Sequence, residues 1–168
     1  VVSSYTLKLG ELMGQGELDI ALTTEDETPP EAVLLARQKL VWVGAPAGIA
    51  WRNRPLRLAF ERKCLFRPWA LEALDRANIP WEMAVDTGST RTVEATIAAD
   101  LAINAILEGA VSPQFEKIPH GGALPDLPSS RINMYCRRTV EMASAEALAE
   151  LVKPAFHETS ALQAVAAE

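Results

Sequence analysis

Cysteine and histidine are scarce: the 168 residues hold two of each. Cys64 and Cys136 form no CxxC pair, and with His120 and His157 they do not make a zinc site, which takes four well-spaced ligands. Both cysteines sit among apolar residues and read as buried, reduced thiols of a cytoplasmic protein. Long apolar runs are also missing. Stretches such as Ile103 to Leu107 fall far short of the roughly 20 residues a membrane helix needs. There is no signal-peptide pattern and no initiating Met, so the chain reads as a piece of a longer protein cut at or near Val1. Positive charge is in short supply, with 16 Lys and Arg against 22 Asp and Glu and a net charge of −6. That balance disfavours a nucleic-acid face, which clusters Lys and Arg against phosphates. Repeats and low-complexity tracts are absent.

What is present suits a folded domain. Hydrophobic residues make up 49% and charged residues 23%, which excludes wholesale disorder. The charge is uneven: residues 1–43 carry −4, residues 44–133 carry 0 and residues 134–168 carry −2. The positives of the middle segment gather early, at Arg52, Arg54, Arg57, Arg62, Lys63 and Arg67. They suit a solvated loop and edge strand, or one or two of them face an anion.

Periodicity predicts alternating elements. Val1 to Ser4 reads as a strand end, and Thr6 as the N-cap of a helix to about Gln15 with Leu7, Leu9, Leu12 and Met13 apolar. Gly14 and Gly16 close that helix. Strands follow at Leu18 to Leu22, then within Ala32 to Val43, long enough for two strands or for one crossing between lobes. Further strands fit Leu56 to Phe60, Trp81 to Val85, Ile103 to Leu107 and Ile132 to Cys136. Helices fit the stretch from Pro68 to about Ala77 and the stretch starting at Ser89 or Thr90, with Val93, Ile97 and Leu101 on one face. A last helix runs from Ser144 to about Lys153, where Pro154 argues for a stop; the tail from His157 is a loose helix or a trailing end. The order argues an α/β protein with mostly parallel sheets. The charge shifts argue a second lobe inserted into the first, with connecting strands near residues 36–43 and 131–137 as a hinge.

Few motifs carry chemistry. Asp86-Thr87-Gly88-Ser89 copies the aspartic-protease loop, but it runs into a helical pattern and has no partner loop. Gly10, Gly14 and Gly16 make neither a dinucleotide fingerprint nor a P-loop, and no serine lies in GxSxG. Trp42, Trp51, Trp69 and Trp81 read as core or lobe-edge aromatics. The most informative features are two hydroxyl-rich helix starts: Ser3, Ser4 and Thr6, and Thr87, Ser89 and Thr90. Each is either simple capping or an anion-accepting helix N-terminus.

Four blocks then carry a family resemblance. Gly16-Glu-Leu-Asp-Ile-Ala-Leu22 resembles the GELDLAL signature of LysR-type transcriptional regulators, in their effector-binding domain. Leu40 to Pro46 is similar to the strand entering the second subdomain, and Leu58 to Leu74 to the F-x-x-x-C-x-F-R-x-x-A-L block of one branch. Ile97 to Ile103 resembles V-A-A-G-L-G-V, with Asp100 and Ala102 where the family has glycines. The likeness spans about residues 1 to 155.

The resemblance implies a two-subdomain, type 2 periplasmic-binding-protein-like α/β fold with two crossover strands. Subdomain I would be residues 1–43 with 134–168, and subdomain II residues 44–133. The first strand and helix of the effector domain, and the winged helix-turn-helix, would lie before Val1. The implied ligand is a small effector, an organic acid or other anion, held between the subdomains. The implied contacts are Ser4, Thr6, Thr23 and Thr24 from one and Phe66, Arg67, Pro68, Ser89 and Thr90 from the other. Many relatives carry Arg where this chain has Thr24. No catalytic residue, metal or cofactor is implied. DNA would be met only through the winged helix-turn-helix, in a cytoplasmic homo-oligomer, a dimer or tetramer, with no membrane contact. The alternative is a solute-binding protein of the same fold serving transport; an enzyme has only Asp86 in its favour.

Overall fold

The computed structural model describes residues 1–137 and 143–165; in the last helix it describes the side chains of 143, 144, 146–154 and 156. The elements run α1 (Thr6–Gly14), β1 (Ile20–Glu25), β2 (Val33–Gly44), β3 (Leu56–Glu61), α2 (Phe66–Arg76), β4 (Trp81–Thr87), α3 (Thr90–Ala98), β5 (Asn104–Leu107), β6 (Glu116–Lys117), β7 (Ser129–Cys136) and α4 (Ala143–Val165). The chain divides into two compact units. Unit 1 is Val1–Gln38 with Ser129–Glu168, and unit 2 is Lys39–Pro128. The division falls inside β2, one unbroken strand of 12 residues.

In unit 1, β1 and β7 pair antiparallel from Ile20↔Cys136 to Glu25↔Arg131. Leu35, Met134 and Ala149 form its buried core, with Ile20, Ile132, Val152 and Phe156 packed around them. Val1 to Ser4 is exposed and is not a strand. No residue of α1 is buried, and Leu7 is exposed. Thr6 is the first residue of α1 rather than its cap; Tyr5 holds the cap position without a side-chain bond. α4 continues through Pro154 instead of stopping. Proline's fixed φ is a helical value, so the ring costs a hydrogen bond but does not force an end.

In unit 2, β3 and β4 pair parallel, and Leu58 bridges Ile103 in the same sense. β2 pairs antiparallel with both β5 and β6. The ladders β1–β7, β2–β5 and β2–β6 therefore depart from the mostly parallel arrangement expected of strand–helix alternation. Alternation fixes only consecutive β–α–β steps, and these three pairings are longer-range. β3 is buried on both faces. Leu56, Leu58 and Phe60 join Ala70 and Leu74 of α2, while Ala59 meets Val93 and Ile97 of α3. Each of the large ones, Leu56, Leu58, Phe60 and Leu74, contributes about 1.5–3 kcal/mol. Trp42 lies in this core and its indole N–H donates to the Pro125 carbonyl at 2.8 Å.

Three helices end alike. Gly16, Asn78 and Asp100 have positive φ after α1, α2 and α3. The following amides of Glu17, Ile79 and Leu101 reach back to Leu12, Leu74 and Thr96. These are Schellman closures, where glycine is the easiest occupant. Asp100 takes a strained φ of 53°. Its carboxylate accepts the Ile49 and Ala50 amides at 2.9 and 3.0 Å, which offsets the strain. Since α3 ends at Ala98, Leu101 has turned off the helix and is exposed, not on the apolar face with Val93 and Ile97.

Candidate functional site

The parallel register of unit 2 sets Phe60 beside Asp86 and Glu61 beside Thr87. The loops leaving the C-terminal ends of β3 and β4 therefore meet, as ligand-binding loops of parallel sheets do. After β3 the chain turns: the Cys64 amide donates to Glu61 and the Arg67 amide to Cys64. α2 then begins, with Pro68 in its first turn, where a missing N–H costs nothing. Pro68 is exposed, and Phe66 sits tilted against Trp69 at a centroid distance of 6.0 Å.

Two guanidinium groups converge on one carboxylate. Arg62 Nε lies 3.1 Å from Asp86 Oδ1, and Arg67 Nη2 lies 3.2 Å from Asp86 Oδ2. Side-chain exposure is 71% for Arg62, 44% for Asp86 and 23% for Arg67. The hydrogen bond from Arg67 leads in holding the Asp86 carboxyl below its ordinary range, with Arg62 adding to it. A carboxylate kept ionised in this way is the opposite of one sharing a proton, so the loop does not reproduce the proton-sharing arrangement its protease-like spelling suggests. Thr87 and Ser89 follow. The Thr87 hydroxyl accepts the Ser89 amide at 3.2 Å, and the Ser89 hydroxyl caps α3 by accepting the Thr92 amide at 3.4 Å. Ser89 and Thr90 are both exposed at that helix start.

The other early cations have separate partners. Arg57 pairs with Glu82, Arg52 stacks over Trp51, and Arg54 donates to the carbonyls of Trp51 and Asn53. Cys64 and Cys136 are half-buried rather than buried, and burial pushes both thiols up. Among the described residues no group of three or more His, Cys, Asp or Glu could hold a metal ion, and no helix is long and apolar enough to cross a membrane. The His157 side chain lies outside the described ones.

Unit 1 holds a second polar cluster. The Thr6 hydroxyl donates to the Thr24 carbonyl and accepts the Thr24 amide, both at 3.2 Å, clasping α1 to β1. Buried Thr23 donates to Glu25 at 3.0 Å. Glu25 also accepts from the Asn133 amide at 2.6 Å and from the Tyr135 hydroxyl at 3.0 Å. Asn133, fully buried, donates to the Glu27 carbonyl and accepts from Thr28. Burial and the neighbouring Glu25 carboxylate push the Tyr135 phenol up to about 12. Ser4 lies in the exposed lead-in to α1.

The structure thus brings Arg67 to the loop that leads to Ser89 and Thr90, and brings Thr6, Thr23 and Thr24 around β1. Glu25, Asn133 and Tyr135 escaped sequence reasoning. Glu25 lies beyond the strand expected at Leu18 to Leu22, and its partners Asn133 and Tyr135 lie more than a hundred residues away.

The family comparison agrees with this architecture. The LysR substrate binding domain family matches residues 1–157. The chain belongs to that family. HTH-type transcriptional regulator PecT of Dickeya dadantii (strain 3937) is 25% identical over 131 residues, 77% of this chain and 41% of PecT. The chain thus spans less than half the length of this curated relative. Among solved structures, the effector binding domain of QuiR in complex with shikimate superposes with a TM-score of 0.66 at 12% identity, covering 92% of this chain and 79% of that one. The bromide-bound regulatory domain of HypT from Salmonella typhimurium gives a TM-score of 0.66 at 14% identity, covering 96% and 80%. The fold is the periplasmic-binding-protein-like fold of LysR effector-binding domains.

Proposed function

We propose that this domain senses a small anionic effector for a LysR-type transcriptional regulator. The observation that carries the reading is the family match over residues 1–157, which favours regulation over transport. The effector contacts proposed are Arg67 with Phe66, Pro68, Ser89 and Thr90 in unit 2, and Ser4, Thr6, Thr23 and Thr24 in unit 1. Support for an anion comes from the guanidinium pair, which already holds a carboxylate, and from the start of α3 close in sequence to Asp86. The related domains solved with shikimate and bromide point the same way. The domain binds and releases its effector without turning it over. Binding biases one of two conformations, and that bias reaches DNA through a winged helix-turn-helix in the same cytoplasmic, homo-oligomeric regulator.

A thermal-shift screen with organic acids tests this reading. One class of acid is expected to raise the melting temperature with concentration, and Arg67→Ala to abolish the rise. No shift across the panel, or an equal shift in the variant, overturns the anionic-effector reading. Tight, salt-sensitive, sequence-specific DNA binding by this domain alone would overturn the division of labour.

A further inference from the structure

Among the described residues Asp86 is the acidic side chain bonded to Arg67, and its two oxygens are divided between Arg62 and Arg67. Resting on the reading that Arg67 meets the effector, we propose that Asp86 is an internal competitor for it. The effector group that takes Arg67 is then a carboxylate exchanging with the Asp86 carboxylate.

Three observations support the exchange. The bond from Arg67 to Asp86 is single rather than forked, at 3.2 Å from one Nη. A guanidinium carries five N–H donors, so one such bond leaves most of its capacity unspent. The pair is half-exposed on the Asp86 side, and ion pairs open to water are individually weak. Asp86 also has a second holder. If an incoming carboxylate takes Arg67, Asp86 keeps Arg62 through Nε and through the bond from Nη2 to its own carbonyl. It is therefore not stranded without a partner. Finally, two cations against one anion leave a net positive charge in the triad, so the exchange adds a negative charge where one is missing.

The balance also sets specificity. A carboxylate offers two oxygens in a plane and can use the guanidinium fork, while a neutral amide of the same shape has no charge to displace Asp86. Asp86 thereby raises the charge a ligand must bring to occupy Arg67.

The test is a titration of the domain with acetate, and separately with acetamide, at constant ionic strength. It follows the Arg67 Nε–H resonance by NMR in the natural domain, in Asp86→Asn and in Asp86→Ala. Two substitutions guard against one that misfolds. Acetate is expected to bind Asp86→Asn and Asp86→Ala about threefold or more tightly than the natural domain. Acetamide should leave all three unmoved, and in Asp86→Asn with Arg67→Ala, followed at the Arg62 Nε–H, the gain in acetate affinity should be lost. Equal acetate affinity with and without Asp86 overturns the competition while leaving Arg67 as the effector contact. Weaker binding without Asp86 overturns it in favour of a positioning role. No saturable movement at Arg67 in any protein overturns the competition and the Arg67 reading together.

Discussion

Unit 1 and unit 2 each gather a carboxylate and several donors, and they use them in opposite ways. Glu25 accepts from Thr23, Asn133 and Tyr135, and its partner Asn133 is itself fully buried and bonded on both ends of its amide. Donors and acceptors there match around buried Thr23 and Asn133, with Glu25 and Tyr135 half-buried. Asp86 faces two guanidinium groups at an open edge, where donors outnumber acceptors. A matched, buried network fixes a fold; an unmatched, half-exposed one has bonding capacity left for a ligand. The proposed contacts of unit 1 start from bonds already made, Thr6 to Thr24 and Thr23 to Glu25, while Arg67 starts with donors to spare.

The comparison can be broken by substitution. Asn133→Leu should have the largest effect, because it removes one of Glu25's donors, the donor to the Glu27 carbonyl and the acceptor of the Thr28 hydroxyl together. A loss of about 3 kcal/mol in urea unfolding is expected, since each buried polar group left unpaired costs about 1–3 kcal/mol. Arg67→Ala should leave the urea midpoint nearly unchanged but weaken carboxylate binding by about tenfold or more, measured by calorimetry. Thr6→Val keeps the shape and loses the clasp to Thr24, for about 1 kcal/mol in thermal melting. Tyr135 gives the smallest and most pH-specific effect. Its phenol is raised to about 12 from an ordinary value of 10.0. Its stabilising contribution is therefore whole below about pH 10 and is lost as pH climbs toward about 12. Tyrosinate absorbance in a Tyr5→Phe background should rise late, and Tyr135→Phe should remove this part of the alkaline loss of stability.

Much of the fold was legible because it is local. Alternation of apolar and polar residues, or an apolar run between turn residues, marks LDIAL, Leu56 to Phe60 and Trp81 to Val85 as strands. Helical spacing from Pro68 to Leu74, and Ser89 before a periodic run, mark α2 and α3. The polar clusters were not legible, because strand pairing makes them. Glu25 meets Asn133 only through the β1–β7 register, and Arg67 meets Asp86 only because β3 and β4 lie parallel. The errors have the same origin. Thr6 looks like a cap until the Thr24 backbone claims its hydroxyl, and Leu101 looks like a core residue until Asp100 turns the chain. Asp100 is instructive in reverse: a left-handed non-glycine residue is stabilised by two backbone amides some fifty residues earlier.

One NMR titration reads both units at once. With the organic acid selected by thermal shift as titrant, the Arg67 Nε–H and the Asn133 side-chain amide are followed in the same spectra. A saturable shift at Arg67 with Asn133 unmoved is the expected result. A saturable shift at Asn133 with Arg67 unmoved would contradict the assignment of scaffold to the Glu25–Asn133 network and ligand capacity to Arg67.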